Sequence, residues 1–185
     1  MIIYIHGFGG SGQGNKAKTL REIFENQSFI APSLSYNPTL AIETLKEMIS
    51  FAQKYEKVYL IGSSLGGYYT TYLADLFDIK AVLLNPSVNP TKTLSKFIDS
   101  AKNFYDDSYY EWNTHHIDLL KQYEVKDLKY ELYMLLTQTG DELLPYKEGV
   151  ERFKNSKKII IEGGNHGFEN IEDQIEDIKE FFDMV

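Results

Sequence analysis

The chain has 185 residues, no cysteine, and 19 basic against 27 acidic side chains, for a net charge of −8. That length suits one domain around one core, and the lack of cysteine excludes disulfide frameworks, thiolate metal sites and a cysteine nucleophile. An acidic balance without any basic block argues against nucleic acid or an anionic membrane surface as partner, and no apolar run approaches the roughly 20 residues needed to cross a bilayer.

The chain begins with Met1-Ile2-Ile3-Tyr4-Ile5, which lacks the basic n-region and full h-region of a signal peptide. A cytoplasmic protein is the expectation. Six short apolar runs, rich in β-branched and aromatic residues, then alternate with stretches of helical period. They are Ile2 to Ile5, Phe29 to Ala31, Val58 to Ile61, Ala81 to Leu84, Leu132 to Leu136 and Ile159 to Ile161. Such alternation is the sequence form of a parallel sheet covered by helices. After the first run, Ala17, Leu20 and Phe24 share one helical face. After the second, Ala41, Leu45, Met48 and Ala52 do the same, and Asn37-Pro38 supplies a capping side chain followed by a proline at the first helical position. The last helix is expected to start at Asn170 as cap, with Glu172 and Asp173 in its first turn and Ile171, Ile175, Ile178 and Phe182 as its buried stripe.

One interval is too long for a simple crossover. No strand pattern appears between Pro86 and Lys129, whereas Leu94, Phe97, Ile98 and Ala101 form a helical stripe and Phe104, Tyr105, Tyr109, Tyr110 and Trp112 an aromatic cluster. This reads as a short helical lid insertion at about 87–129, within a single domain spanning 1–185, placed over the carboxyl ends of the strands.

The strongest chemical signal is Gly62-Ser63-Ser64-Leu65-Gly66, directly after an expected strand and before an expected helix. A nucleophile elbow holds its serine on such a strand-to-helix turn, with glycines two before and two after because a Cβ there would collide with neighbouring backbone. Only Ser64 has glycine at both positions. A serine hydroxyl needs a base, and the base an orienting acid, in the chain order Ser, acid, His. His166, in Gly163-Gly164-Asn165-His166-Gly167 after the last strand, is the base expected. Asp141 follows the preceding strand and is the acid expected, with Glu142 its neighbouring competitor; the position after the Ala81–Leu84 run carries Asn85 instead. Two backbone N–H groups should stabilise an oxyanion, from Leu65 after the nucleophile and from Phe8, with Gly9 as the second choice, in the loop after the first strand. His6 is expected to shape that loop's turn, and His115 and His116 to be solvated helix residues.

A rival lies in the same loop. Gly7-Phe8-Gly9-Gly10-Ser11-Gly12 matches G-x-G-x-x-G, but the second strand runs into Pro32-Ser33-Leu34-Ser35 without the acid that would bind a ribose. Asn15 stands where a P-loop needs lysine. No H-E-x-x-H, EF-hand or defensible carboxylate pair occurs, so neither a metal nor a cofactor is expected. Lys16, Lys18 and Arg21 read as a solvated helix face, with contact to an anionic part of a substrate as the second reading.

Five blocks in order give the chain a family likeness: Tyr4-Ile5-His6-Gly7-Phe8, Ile61-Gly62-Ser63-Ser64-Leu65-Gly66-Gly67-Tyr68-Tyr69, Leu84-Asn85-Pro86, Gln138-Thr139-Gly140-Asp141-Glu142 and Glu162-Gly163-Gly164-Asn165-His166. The chain resembles the α/β-hydrolase superfamily and, more closely, the small bacterial YqiA-type esterases. That resemblance implies a reduced α/β-hydrolase fold without the first antiparallel strands of larger members. It also implies esterase activity, with Ser64, Asp141 and His166 as nucleophile, acid and base. The expectation is thus a serine hydrolase of small-molecule carboxylic esters or acyl thioesters. A non-catalytic binding protein on the same fold, or an acyltransferase or amidase using the same triad, is the alternative.

Overall fold

A computed structural model describes residues 1–184. Among these residues, six strands form one wholly parallel sheet in the order β2-β1-β3-β4-β5-β6. They are β1 (Ile2–Ile5), β2 (Phe29–Ile30), β3 (Tyr59–Ser63), β4 (Ala81–Leu84), β5 (Tyr133–Gln138) and β6 (Lys157–Ile161). The helices are α1 (Asn15–Ile23), α2 (Pro38–Ala52), α3 (Leu65–Phe77), α4 (Pro90–Leu94), α5 (Thr114–Leu120), α6 (Tyr146–Arg152) and α7 (Ile175–Phe181). All six expected strands form, with ends displaced by at most two residues.

Parallel strands buried on both faces are apolar along nearly their whole length. The four inner strands follow this up to their carboxyl ends, where Ser63, Thr137 and Gln138 are polar, and their apolar side chains divide with period two. Ile3, Ile5, Leu60, Leu83 and Leu135 face a core shared with α2, α3 and the segment between β4 and β5. Ile2, Tyr4, Ile61, Val82, Leu84 and Leu136 face a second core beneath α1 and α7. The edge strands β2 and β6 are only partly buried. The described helices include none long and apolar enough to cross a membrane.

The chain turns away in opposite directions on the two sides of β1, toward β2 on one side and β3 on the other. In open parallel sheets the crevice at the carboxyl ends of such a switch point is where ligands bind. Here it is bounded by the loop after β1 and the start of α3.

Local signals were realised at α2 and not at the last helix. Asn37 accepts hydrogen bonds from the Thr39 and Leu40 amides, and Pro38 opens the helix. Ala41, Leu45 and Ala52 are buried, while Met48 is half-buried and Ile49 takes the deeper position. Asn170, in contrast, sits in the left-handed region at φ 54° with no capping bond, and a 3₁₀ turn at Ile171–Gln174 precedes α7. The expected stripe is nevertheless buried in full. Its packing places the segment, whatever starts the helix.

Between β4 and β5 the chain forms α4, a 3₁₀ turn at Ser95–Phe97, an isolated Lys102–Tyr109 bridge, α5 and a further 3₁₀ turn at Lys121–Tyr123. The aromatic cluster divides: Trp112 is buried beneath this segment with its indole N–H on the Leu94 carbonyl, whereas Phe104, Tyr105 and Tyr109 are exposed. His116 is more than a solvated helix residue, because its Nδ1 accepts the Asn113 amide in a reciprocal cap of α5. Replacing the α2 cap, Asn37→Ala, should lower the unfolding free energy by about 1 kcal/mol in urea titrations, while the exposed Lys18→Ala should change it by less than about 0.5 kcal/mol.

Candidate active site

Ser64 lies between β3 and α3 with φ 56° and ψ −122°, a conformation that costs a non-glycine residue on the order of 1–3 kcal/mol and persists only when its surroundings impose it. They do so from both sides. The Ser64 amide donates to the Leu84 carbonyl, and the Ser64 carbonyl accepts from the Gly67 and Ser87 amides. The turn is tight enough to exclude side chains at the flanking positions. A Cβ on Gly62 would stand 2.5 Å from the Gly66 carbonyl oxygen, and one on Gly66 would stand 2.0 Å from that of Ile5.

The residues singled out after β5 and β6 meet at this serine. His166 Nε2 is 3.0 Å from Ser64 Oγ, and His166 Nδ1 is 2.9 and 3.0 Å from the two Asp141 carboxylate oxygens. Asp141 also accepts the Leu143 and Leu144 amides. Burial raises its carboxyl pKa, but the bonds from His166 and these amides outweigh that, and the net displacement is downward. An ionised carboxylate on Nδ1 requires the proton there, which leaves Nε2 free to accept from the serine hydroxyl. Glu142, the competitor, serves another purpose. Its carboxylate accepts the backbone amide of His166 at 2.9 Å and fixes the loop rather than the ring.

Two buried amide side chains that sequence reasoning passed over as functional hold the His166 loop to the sheet. Asn85, at φ 42°, accepts the Gln138 amide at 2.9 Å through its carbonyl oxygen and donates to the Asn165 carbonyl at 3.0 Å. Gln138 accepts the Asn165 and Glu169 amides and donates to the Glu169 carbonyl. Neither has a local sequence signature beyond its place at a strand end, where side chains gather at the carboxyl edge. Phe168 is the apolar counterpart, buried in the second core with φ 60°.

The loop after β1 closes the other side. His6 Nε2 accepts the Leu34 amide at 3.0 Å, so Nδ1 carries the proton and donates to the Gly7 carbonyl at 2.8 Å. The turn-shaping role expected of His6 is what it performs, and burial lowers its pKa and favours this neutral form. The glycines that mimic a dinucleotide fingerprint are occupied by packing. A Cβ on Gly9 would meet the Lys102 carbonyl, and one on Gly12 the Ala31 carbonyl. Among the described residues, no acceptor engages the amides of Phe8 or Leu65.

Both residues line a cavity of ≈ 370 Å³ that also receives Ser64 and His166. Leu94, Phe97 and Phe104 of the insertion give it an apolar wall. Phe8 backs that wall, its ring centroid 5.4 Å from Phe97 and 4.8 Å from Trp112. Lys16 enters from α1, its ammonium donating to Ser63 Oγ at 2.9 Å. Burial pushes the Lys16 pKa down to about 8, with Asp141 acting in the opposite sense. The solvated-face reading therefore fails for Lys16 and holds for the exposed Lys18. Arg21 turns back on the Gly12 carbonyl.

A parallel sheet with a serine on the turn after its third strand, and acid and histidine after later strands, defines the α/β-hydrolase fold. Solved structures agree on the fold. Est1E from Butyrivibrio proteoclasticus, solved with ferulic acid, superposes with a TM-score of 0.72 at 17% identity, covering 97% of this chain and 86% of that one. Mouse alpha/beta hydrolase domain-containing protein 10 gives 0.73 at 17% identity over 98% and 89%. Within that fold, residues 1–183 match the Uncharacterised protein family (UPF0227), and the chain belongs to it. The UPF0227 protein YcfP of Salmonella gallinarum is 25% identical over 191 residues, 98% of each chain.

Because Gln138 satisfies three backbone groups of the His166 loop, Gln138→Met should destabilise the protein by about 1–3 kcal/mol per group left buried without a partner. Hydrogen exchange at the Asn165 and Glu169 amides should accelerate. Unchanged protection at those two amides would mean that the loop is held by other contacts.

Proposed function

We propose that this protein is a serine hydrolase of carboxylic esters, acyl thioesters included, working through an acyl-enzyme on Ser64. The observation that carries this reading is the continuous hydrogen-bond relay from Ser64 Oγ through His166 to Asp141, opening on a cavity beside two uncommitted backbone amides. Ser64 Oγ attacks the acyl carbonyl carbon as His166 Nε2 takes its proton, and Asp141 steadies the imidazolium that forms. The Leu65 and Phe8 amides receive the negative oxygen, with the N-terminus of α3 adding its positive end there. Collapse of the tetrahedral adduct breaks the bond to the leaving alcohol or thiol, which departs with the proton from His166. Water then attacks the acyl-enzyme and gives a proton to Nε2; collapse of the second tetrahedral adduct releases the acid, and Nε2 passes that proton to Ser64 Oγ.

The insertion is assigned the role of a lid. Its Leu94, Phe97 and Phe104 side chains would hold apolar parts of the substrate and exclude water. The monoacylglycerol lipase of Paleococcus ferrophilus, which shares the fold at a TM-score of 0.64 and 15% identity, agrees with an ester substrate.

Labelling with a fluorophosphonate followed by peptide mass spectrometry should place the adduct on Ser64, and Ser64→Ala should lose both labelling and nitrophenyl-ester hydrolysis, a loss of about 10⁶ in a comparable triad. A folded wild-type protein that takes up no label would overturn the assignment in favour of a binding protein. Asp141→Asn should cost about 10⁴ in kcat through the wrong imidazole tautomer. Glu142→Gln, which keeps an oxygen for the His166 amide, should cost far less; the reverse ranking would move the acid to Glu142.

A further inference from the structure

The cavity wall contributed by α1 has a charge that the hydrolytic machinery does not use. Lys16 reaches into it from the first turn of α1, and its ammonium is bonded to a neutral hydroxyl, that of Ser63, one residue before the nucleophile. Among the described residues, no carboxylate oxygen lies within 4 Å of it. Asp141, the acid nearest in function, is committed to His166 and two amides. No aspartate or glutamate lines the cavity, whereas Lys16 and Lys96 do, in a molecule of net charge −8. The backbone around Lys16 reinforces its sign. The first turn of a helix favours acids and disfavours cations, yet α1 has no acid there and is capped by Gly14, which has no side chain to offer.

A partly desolvated ammonium whose neighbours are a hydroxyl and an aromatic ring is costly unless something anionic completes it. Burial has already lowered the Lys16 pKa to about 8, the direction expected of a cation losing solvent, and the Asp141 charge only partly offsets it.

We infer that the preferred substrate carries an anionic oxygen group, a carboxylate or a phosphate-type group, which pairs with the Lys16 ammonium beside the scissile ester. Resting on the esterase reading, this deepens it. Lys16 becomes a specificity-determining residue, and the cavity is divided between an apolar end under the insertion and a cationic end at α1. Half-esters of dicarboxylic acids, or acyl compounds bearing a phosphate, are the class that fits both ends.

The test compares kcat/KM within two sets of esters. In one, nitrophenyl esters share an acyl chain that ends in carboxylate, phosphonate or methyl ester; in the other, the same three groups terminate the alcohol. Wild type should favour an anionic member over the neutral one by about tenfold or more in at least one set, the range for a hydrogen bond to a charged group. The carboxylate and phosphonate arms identify which anion is preferred. Lys16→Met should bring that ratio close to one, Lys16→Arg should keep most of it, and the exposed Lys18→Met should leave it intact.

A wild-type pH series gives a readout that needs no variant. For the carboxylate esters, whose own charge is constant there, the ratio should fall as pH rises through about 8, where the free enzyme's Lys16 loses its proton. Ser63 bonds Lys16, the Phe168 ring lies 6.0 Å from its ammonium, Asp141 acts on it through its charge, and Tyr4, His6 and His166 line the same cavity. Titration of the relay affects both substrates and cancels in the ratio, and burial holds the Tyr4 phenol protonated throughout. A ratio near one in both sets, or one that survives Lys16→Met and alkaline pH alike, would overturn the inference while leaving ester hydrolysis in place. A protein that takes no fluorophosphonate label and hydrolyses no ester would instead overturn the esterase reading, and this inference with it.

Discussion

The constraint on which the remaining geometry depends is the backbone at Ser64. A serine forced to φ 56° between a strand and a helix can be held only if the residues around it come very close, and that closeness leaves no space for a Cβ at Gly62 or Gly66. The same close approach brings α3 against the carboxyl end of β1. The loop carrying Phe8 and the start of α3 are thereby set side by side, and the switch point of the sheet becomes a cleft with the serine at its floor. Strain in one residue is thus the local cost of an arrangement that two cores and four inner strands stabilise.

The histidine side of the site is built by a different device. Residues 163–170 contain no regular structure, and several of them adopt left-handed backbone, among them Gly163, Gly164, Phe168 and Asn170. Such a loop has no ladder of its own to satisfy its amides. Asn85 and Gln138 supply the missing partners from neighbouring strand ends, Glu142 takes the His166 amide, and Phe168 pins the loop into the core below α1. Side-chain amides suit this work because each offers donors and an acceptor at fixed spacing, and buried polar networks specify one arrangement when every member is bonded.

How far the sequence reveals this arrangement follows from the range of the interactions. The four inner strands were legible because burial on both faces leaves a nearly unbroken apolar run. Ser64 was legible because its glycines are required within two residues of it, and the Asn37 cap because a side chain serves amides two and three residues ahead. Asp141 and His166 could be named from chain order and strand ends. Where a partner lies far along the chain, the signal vanishes. Asn85 meets Asn165 across 80 residues, and Lys16 meets Ser63 across 47; nothing near either residue announces the pairing. Asn170 failed for the opposite reason. It has the composition of a cap, but the loop before it needed a left-handed turn, and asparagine serves that purpose too.

The polar groups at the carboxyl edge of the sheet therefore divide by how completely they are matched. Asn85 and Gln138 are bonded to backbone through both oxygen and nitrogen, which makes them structural. Ser64, His166 and Asp141 form a chain whose far end, the serine oxygen, still faces open space, the arrangement that suits a reacting group. Lys16 is matched in neither respect: among the described residues one of its three donors has a partner, and no carboxylate oxygen lies within 4 Å of its charge. A protein can tolerate such a residue in the first turn of a helix, in a partly desolvated cleft, only at some expense to stability, and a methionine or leucine would have filled the same space beside Phe168 without it. Retaining a positive charge there, in a chain whose surface is otherwise predominantly acidic, is physically reasonable if its partner arrives with the substrate and leaves with the product.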